Sequence, residues 1–453
     1  MLTLIITLIE TVYTFLWGDL ITLPLPGGGT LGLPLLVLLL IPTGLYFTFR
    51  TRFLPLRLFP DMIRATLEKR SHKNGGLSAL QALVVSTATR VGMGNLVGVV
   101  AAISAGGAGA VFWMWVTALI GSSTAFVEAT LAQLYYIHKF LAARRGGKPR
   151  RYCILAVLFA VSGLICWCGI SQVISNSVAS AFQNAFHIPP LYTTIVLVAL
   201  AAVIVLRKNA TVKVLDVLVP IMAGCYFFIT IFLILLNIDQ LPAVFERIFA
   251  EAFGLRQVVA GGFGAVLMNG VKRGLFSNEA GSGSAPCAAA AAESDHPAKV
   301  GLMQALGVFI DTIIICSCTA MIMLLAPAEV VDGLTGMDLL QAAMAYHLGE
   351  FGVVFIAAIL WLFSFSTFIG ILFYARSNVA YLFGDNWLSQ TAYKILALIM
   401  LFAGGLATYT FVWDLGDVGV GLMTVFNIAI LFPLSGQAMK SLKDYEQNHR
   451  LRR

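Results

Sequence analysis

The sequence predicts an all-α polytopic membrane protein of about eleven spanning helices, ten of which form two five-helix repeats of opposite orientation. Three observations support this fold class. The 453 residues are 59% hydrophobic and 11% charged, a composition typical of chains that lie mostly in lipid. Basic residues are concentrated in alternate loops. Two apolar runs are interrupted near their centres by glycine and polar residues.

The amino-terminal segment differs from the spans that follow it. Residues 1–30 contain a short apolar stretch with Glu10 inside it and no basic region before it. We therefore expect an interfacial helix, neither a span nor a cleavable signal. An extra span at 31–49 precedes the repeats. The other apolar runs predict spans at 77–105, 110–137, 153–182, 189–206, 214–238, 258–290, 298–326, 350–380, 390–411 and 417–438.

Lys and Arg mark one side of the membrane. Seven lie in residues 50–76, six in 139–151, three in 207–213 and five in the tail from residue 436. Because basic residues stay on the cytoplasmic side during insertion, this alternation places the amino terminus outside and the carboxyl terminus inside. The net charge of +7 is thus topological, and no nucleic-acid partner is expected. We expect a multi-pass protein of the plasma membrane, which in a bacterium is the inner membrane.

The two interrupted spans are the strongest indication of a functional site. Residues 85–109 read VSTATRVGMGNLVGVVAAISAGGAG, and residues 258–290 read VVAGGFGAVLMNGVKRGLFSNEAGSGSAPCAAA. Backbone at membrane depth leaves the helix only where protein or a water-filled cavity satisfies its amide and carbonyl groups. Each break therefore predicts a site for an ion or a small ligand.

The breaks also define the domain organisation. They fall in the second and seventh spans, so five spans separate their starting points. Because five is odd, the second set of helices enters from the opposite face. This gives inverted repeats at 77–238 and 258–438, followed by a basic cytoplasmic tail at 439–453. Glycine-interrupted segments in matching positions of inverted halves predict a secondary transporter with its site at the midplane.

Three stretches carry a family resemblance. They are RVGMGNLVGVVAAISAGGAGAVFWMWVTALIGSSTAFVEATLAQLY at 90–135, GVKRGLFSNEAGSGSAP at 270–286 and HPAKVGLMQALGVFIDTIIICSCTA at 296–320. They closely resemble the alanine or glycine:cation symporter family, also called sodium:alanine symporters. The resemblance implies a LeuT-like fold of ten core helices with one additional amino-terminal span. It also implies sodium-driven uptake of small neutral amino acids such as alanine and glycine.

The first break supplies candidates for the substrate site. Free amides at a half-helix N-terminus can receive a carboxylate, and glycine permits close approach, so we expect the amides of Met93 and Gly94 to bind it. LeuT-like transporters share this G-x-G-N pattern. A glycine-mediated helix crossing is the alternative. The full expected substrate set is Met93, Gly94, Asn95, Gln172, Ile174, Asn269 and Gly270.

Sodium prefers oxygen ligands, and LFSFSTF at 362–368 offers hydroxyl groups. By analogy with the fold, the carbonyls of Ala88 and Val91 and the hydroxyls of Ser366 and Thr367 would form one sodium site. Hydroxyls in spans also bond to carbonyls of their own helix, which is the alternative. No cofactor other than the coupling ion is expected.

Ionisable residues at membrane depth need partners, because burying them is costly. Arg90, Glu128, Glu279 and Asp311 are in this position. They form either a salt-bridge network that holds the broken helices or a charge-coupling device; for Glu128 we favour the structural role. A second ion or coupling position is expected at Asn95, Glu279 and Asp311. Lys272 and Arg273 would add positive charge if the second break lies deep enough.

Other functions remain open at this point. A proton-coupled transporter would use Glu279 or Asp311 as the carrier, and a channel or a receptor is a further alternative. An enzyme is not expected, because no Ser-His-Asp order, H-E-x-x-H, P-loop or Rossmann fingerprint is convincing. The chain also departs from the family pattern: Met93 replaces a small residue, and Ile174 stands where a Gln is frequent. These changes predict a less polar, differently shaped pocket.

Overall fold

Helices account for most of the residues that the computed structural model describes, which are 2–24, 30–67, 77–78, 92–144, 153–206, 211–254 and 262–451. This confirms the all-α part of the predicted fold class. The elements in order are α1 Leu2–Trp17, β1 Asp19–Pro24, β2 Thr30–Pro34, α2 Leu35–Arg50, α3 Leu54–Arg57, α4 Phe59–Leu67, β3 Leu77–Ser78, α5 Val99–Gly106, α6 Gly109–Arg144, α7 Ile154–Phe186, α8 Pro190–Leu206, α9 Thr211–Leu236, α10 Leu241–Ala252, α11 Gly262–Asn278, α12 Ala285–Ala289, β4 Ala292–Glu293, α13 Pro297–Val308, α14 Ser317–Leu324, α15 Ala328–Val331, α16 Gly336–Leu348, α17 Glu350–Phe383, α18 Trp387–Gly404 and α19 Tyr409–Leu451. Two π-helices, Gly94–Gly98 and Phe309–Cys316, precede α5 and α14, and a 3-10 turn, Ile238–Gln240, precedes α10.

Six helices in the described part of the chain are long and apolar enough to cross a membrane: Gly109–Tyr135, Ile154–Phe186, Pro297–Leu324, Glu350–Phe383, Trp387–Gly404 and Val412–Asn448. The pair Ile221–Leu236 and Ile238–Ala252, bent by 76°, adds a seventh if it counts as one span. Other predicted spans correspond to shorter apolar helices, Leu35–Arg50, Gly94–Gly106 and Pro190–Leu206. At a rise of about 1.5 Å per residue such helices reach about 20 to 25 Å, and broken spans consist of half-length pieces.

The long last helix corrects two expectations. The last span is predicted at 417–438, but α19 begins at Tyr409, so Asp414 and Asp417 both lie inside the helix. The residues expected to form a separate basic tail continue the same helix to Leu451. Hydropathy excludes charged residues from a span, so it cannot recognise a helix that buries a carboxylate at one end and extends beyond the bilayer at the other.

The amino-terminal segment forms α1, which packs against α19. Leu16 and Trp17 at its end are buried, and Trp17 Nε1 donates a hydrogen bond to the Asp417 carbonyl at 3.1 Å. The antiparallel hairpin β1–β2 follows, an element that the hydrophobic pattern does not predict. Its Gly32 lies against Gly264 of α11, where an added Cβ would be 3.4 Å from the Gly32 nitrogen. The segment thus contacts the second repeat.

Helix α7 packs closely against α18 and α19 through glycine. Gly169 of α7 faces the backbone of Gly416, and Gly419 of α19 faces the backbone of Cys166. A side chain at either glycine would overlap main-chain atoms of the opposite helix. Small residues allow such close approach between membrane helices, where van der Waals contact drives association. These contacts join the two repeats.

Gly419→Ala is therefore expected to lower the melting temperature of the detergent-purified protein, measured by a tryptophan-fluorescence or dye-based thermal scan. The added methyl group collides with the Cys166 backbone, and overpacking of this kind costs about 1–3 kcal/mol. Gly436→Ala in the same helix is the matched control, since an added Cβ there meets nothing within 4 Å. Equal melting temperatures for the two variants would contradict the proposed packing.

Candidate functional site

The first break is described from Gly92 onward. Met93 takes a helical conformation, Gly94–Gly98 form a π-helix, and α5 continues from Val99. Met93, Gly94 and Asn95 are all buried. Arg90 and the expected sodium ligands Ala88 and Val91 lie outside the described residues. The structure therefore shows the half of the first break that continues toward α5.

The second break lies at Glu279–Ser284. Helix α11 ends at Asn278, and α12 begins at Ala285. Glu279, Gly281 and Gly283 between them have positive φ values of 56°, 93° and 81°. Glycine adopts this region readily, whereas a non-glycine residue there is uncommon. Among the described residues of the span, the helix is interrupted at the SNEAGSGS segment, whereas Gly264, Gly270 and Gly274 lie inside α11.

Asn269 and Gly270 consequently lie within α11 and not at its break. The Asn269 amide donates to the Ala105 and Ala265 carbonyls at 3.3 and 2.9 Å. Gly270 packs against Ala110 and Trp113 of α6, where a Cβ would overlap both. Since Ala105 is eleven residues beyond Gly94, it lies about 16 Å along the helix from that glycine. The expected role of Asn269 and Gly270 in substrate binding stays a prediction.

The two breaks meet. A Cβ added to Gly94 would lie 3.6 Å from the Phe276 carbonyl oxygen and 3.6 Å from Ser277 Cα, both in the last turn of α11. Ordinary van der Waals contact therefore joins the start of one half-helix to the end of the other. A helix N-terminus carries partial positive charge and a C-terminus partial negative charge. The junction offers both signs of partial charge without an ionised side chain.

Thr367 of α17 faces the same junction. The Met93 amide donates a hydrogen bond to Thr367 Oγ1 at 3.1 Å, between residues 274 positions apart. The Ser366 hydroxyl donates to the Phe363 carbonyl of its own helix at 2.9 Å, which is the alternative role considered for these hydroxyls. The Ser364 hydroxyl is buried and has no hydrogen-bond partner among the described residues. Of the three hydroxyl groups, the structure links Thr367 directly to the first break.

A polar cluster surrounds Asp311, which is fully buried in the second π-helix. Asn95 Nδ2 donates to Asp311 Oδ1 at 2.7 Å, and the Ser277 and Thr312 hydroxyls donate to Oδ2 at 2.7 and 2.8 Å. Asn95 Oδ1 is buried without a hydrogen-bond partner in the described structure. Asn95 and Asp311 were expected together, whereas Ser277 and Thr312 were not. Their hydroxyls next to a break and to Asp311 were the signals available in the sequence.

The carboxylate of Glu279 forms its hydrogen bond with Ser284 and not with a residue of the Asp311 cluster. Its Oε2 accepts from the Ser284 hydroxyl at 2.7 Å, and its carbonyl accepts from Ser282 at 2.7 Å. These bonds span the second break. Glu279 thus holds the unwound backbone in shape, while Asp311 contacts both broken helices.

Glu128 is linked to the second break through Asn427 of a neighbouring helix. Asn427 Nδ2 donates to Glu128 Oε1 at 2.5 Å and to the Gly281 carbonyl at 2.9 Å. One amide therefore links α6 and α19 to the unwound segment. This geometry fits the structural role expected of Glu128. Asn427 was not predicted, because a single Asn in an apolar span gives no indication of its partner.

Lys272 and Arg273 lie deep in the protein and share one carboxylate. Arg273 donates to both Asp417 oxygens, at 2.9 and 3.1 Å, and Lys272 Nζ lies 3.3 Å from Asp417 Oδ2. The side chains of Arg273, Lys272 and Asp417 are 7%, 5% and 1% exposed. Trp413 stacks on the guanidinium at 3.9 Å, and Tyr13 of α1 accepts from Lys272 at 2.8 Å. This cluster, which we call the Asp417 triad, ties α11 to α19.

Gln172 and Ile174 are buried in α7. The Gln172 amide donates to Met400 Sδ at 3.3 Å, and its backbone packs against Gly404 of α18. Its Oε1 has no partner in the described residues. The side chain of Gln172 thus contacts α18. The role of Gln172 and Ile174 in substrate recognition stays a prediction.

A cavity of about 580 Å³ opens beyond these residues, at the carboxyl-terminal end of α7. Asn176, Gln183, Thr335, Asp338 and Tyr409 are among its lining residues. It contains both polar and apolar groups, and it lies at the end of the helices that the charge pattern places outside. It is a candidate vestibule.

Comparisons with known proteins identify relatives of this chain. The family model described as "Sodium:alanine symporter family" matches residues 27–453. The "Amino-acid carrier protein AlsT" of Bacillus subtilis (strain 168) is 42% identical over 91% of this chain and 89% of its own length. The "Sodium/alanine symporter AgcS" of Methanococcus maripaludis is 33% identical over 98% of this chain and 97% of its own length.

A solved structure shows the same fold. The crystal structure of MhsT in complex with L-phenylalanine has a TM-score of 0.53 at 15% identity, and the match covers 81% of this chain and 89% of that one. At this identity the likeness concerns the fold alone. It agrees with the LeuT-like fold that the family resemblance implies.

Proposed function

Since the chain belongs to the sodium:alanine symporter family, we propose that it couples uptake of a small neutral amino acid, alanine or glycine, to sodium entry by alternating access. The observation that carries this proposal is the contact between the two broken helices at Gly94 and Phe276. It brings amides, carbonyls, hydroxyls and a carboxylate together inside the membrane domain. The membrane is the plasma membrane, with the amino terminus outside.

The amino-acid zwitterion binds across the junction. Its carboxylate accepts from the Met93 and Gly94 amides at the start of the first half-helix. Met93 donates to Thr367 in the present arrangement, so the carboxylate takes over that hydrogen bond and releases the hydroxyl. The ammonium group faces the carbonyl end of α11 near Phe276. Each charged group of the substrate thereby exchanges water for opposite partial charge.

Sodium binds next to the substrate at two positions. The first uses the hydroxyls of Thr367 and Ser366 with the carbonyls of Ala88 and Val91. The second uses Asn95 Oδ1 and the Asp311 carboxylate, with Glu279 as a coupling group beyond it. Asp311 supplies the negative charge that favours a cation in a low-dielectric site. Asn95 connects the second sodium position to the substrate site, since it directly follows Met93 and Gly94, whose amides receive the substrate carboxylate.

The relatives support the assignment of substrate and ion. One is named a sodium/alanine symporter and another an amino-acid carrier. Met93 is fully buried, so its side chain reduces the space at the junction. A small substrate suits that space. Alanine or glycine therefore fits better than a bulky amino acid.

A proton-coupled transporter is the second candidate function. The observation that favours it is the burial of two carboxylates at the breaks, since Asp311 is fully buried and Glu279 is 8% exposed. A buried carboxylate can carry a proton across the membrane. In that mechanism uptake follows the pH gradient and continues without sodium.

Thr367→Val is expected to raise the sodium concentration for half-maximal uptake about tenfold. Valine has the shape of threonine but lacks the hydroxyl, and one hydrogen-bonding or ligand group is worth about 1–1.5 kcal/mol. The measurement is initial alanine uptake in proteoliposomes at varied sodium concentration. Thr367→Ser, which keeps the hydroxyl, is the matched control and should remain close to the original protein. An unchanged sodium requirement in Thr367→Val would exclude this hydroxyl as a ligand.

A further inference from the structure

A basic cavity lies between the end of α2 and the extended part of α19, and none of its lining residues belongs to the broken spans. Its volume is about 330 Å³, roughly ten times the share of one water molecule in the liquid. Four cationic residues line it, Arg50, Arg52, Arg57 and Lys443, against one acidic residue, Glu446. The surplus of positive charge is therefore concentrated in one concave place.

The cations are not equally engaged. Arg57 pairs with Glu446 at 2.7 Å, and Arg50 donates to the Ser435 hydroxyl at 2.8 Å. Arg52 accepts from Arg57 through its carbonyl alone, and the side chains of Arg52 and Lys443 form no hydrogen bond or ion pair within the described part of the chain. Arg57 and Arg50 thus shape the wall, while Arg52 and Lys443 are available to an anion.

The loop that carries Arg52 has an unusual backbone. Arg52 and Phe53 are consecutive and have φ values of 57° and 54°. L-residues adopt this left-handed region uncommonly, and two in succession need support from their surroundings. The Phe53 amide donates to the Thr48 carbonyl at 2.8 Å, which fixes the turn. The strained turn places Arg52 at the cavity.

An exposed aromatic surface begins at the same place. Tyr46, Phe49, Phe53 and Phe432 are 40%, 64%, 47% and 42% exposed. Tyr46 lies 5.1 Å from Phe432, and Phe49 lies 5.3 Å from Phe53, between ring centroids. The Arg50 guanidinium lies 5.4 Å from the Tyr46 ring, at the boundary of the charged and apolar surfaces. The basic cavity and the exposed aromatic surface are therefore directly adjacent.

We propose that this cavity binds the phosphate headgroup of an anionic phospholipid in the leaflet on the carboxyl-terminal side. The phosphate lies between Arg52 and Lys443, and the acyl chains lie along Phe49 and Phe432. Basic pockets between spanning helices recognise lipid headgroups through charge-assisted hydrogen bonds. A free phosphate would use the cations but not the aromatic surface, and for this reason we assign the ligand to the membrane.

The test compares lipids on the detergent-purified full-length protein. Thermal stabilisation and native mass spectrometry are measured with phosphatidylglycerol, with phosphatidylcholine of the same acyl chains, and with glycerol 3-phosphate. Phosphatidylglycerol alone is expected to stabilise and to remain bound. Arg52→Gln with Lys443→Gln should raise the half-maximal lipid concentration about twenty-five-fold, since each cation contributes about fivefold.

Lys440→Gln is the matched control. Lys440 lies one turn before Lys443 on α19, is exposed and does not line the cavity. It should keep the response to phosphatidylglycerol. Equal responses of the double variant and the control would overturn the proposal, as would equal stabilisation by phosphatidylcholine or by glycerol 3-phosphate. The melting temperature without lipid and the mass spectrum each report independently whether the double variant is folded.

Discussion

Asp311→Asn is expected to abolish sodium-driven uptake while the protein remains folded. Asparagine keeps the shape, and its amide oxygen can still accept from Asn95. Its Nδ2 cannot accept from Ser277 and Thr312, so their hydroxyls must turn and accept from it, and the negative charge is lost. A unit charge about 4 Å from a cation contributes about 4 kcal/mol at an effective dielectric of about 20. We therefore expect the apparent sodium affinity to fall about a thousandfold. Sodium-dependent alanine binding and uptake by the purified, reconstituted variant measure this directly.

Asp385→Asn is a control, because Asp385 is exposed and pairs with Arg376 at 3.4 Å. It should leave the sodium requirement unchanged. An unaltered sodium requirement in Asp311→Asn would remove Asp311 from the ion site. Sodium-independent uptake that loses its pH dependence in Asp311→Asn would instead support the proton-coupled mechanism.

Asp417→Asn is expected to produce the largest loss of stability. The substitution leaves Lys272 and Arg273 buried without their shared carboxylate, and breaking one side of a buried ion pair costs about 3–5 kcal/mol. The melting temperature and the yield of monodisperse protein should both fall. Transport should fall with them, because the triad ties α11 to α19 at Arg273, six residues before the second break begins at Glu279.

A double variant separates charge imbalance from lost packing. Arg273→Gln combined with Asp417→Asn removes one charge of each sign, so the two effects should not add. We expect the pair to recover about 0.5–3 kcal/mol relative to the sum of the single variants. Strict additivity, measured by thermal unfolding of all four proteins, would contradict the ion-pair interpretation.

The sequence predicts the breaks better than their exact position. The predicted second broken span covers 258–290, and within it the helix runs through Asn269 and Gly270 and is interrupted only at Glu279–Ser284 among the described residues. Glycine serves two purposes in the second broken span. Gly270 and Gly274 pack against α6, whereas Gly281 and Gly283 adopt positive φ values. Composition alone does not distinguish a glycine that allows close packing from one that ends a helix.

Long-range partners account for what the sequence does not reveal. Asp417 pairs with Arg273 across 144 positions, and Met93 contacts Thr367 across 274. Neither spacing follows from a helical period. The pairing of Asn95 with Asp311 was anticipated because both are polar groups in apolar spans, and such groups need partners. Family resemblance supplied the substrate and the ion, which helical periodicity cannot provide.

The central claim is that sodium, and not protons, drives uptake of a small neutral amino acid at the junction of the two broken helices. Its most direct test is uptake of labelled alanine and glycine into proteoliposomes with imposed sodium or proton gradients. One charge moving inward gains about 2.3 kcal/mol per 100 mV, so even one sodium ion can drive accumulation. We predict saturable accumulation with an inward sodium gradient and none with a proton gradient in sodium-free buffer. Accumulation without sodium, or no sodium-dependent uptake of either amino acid, would contradict the claim.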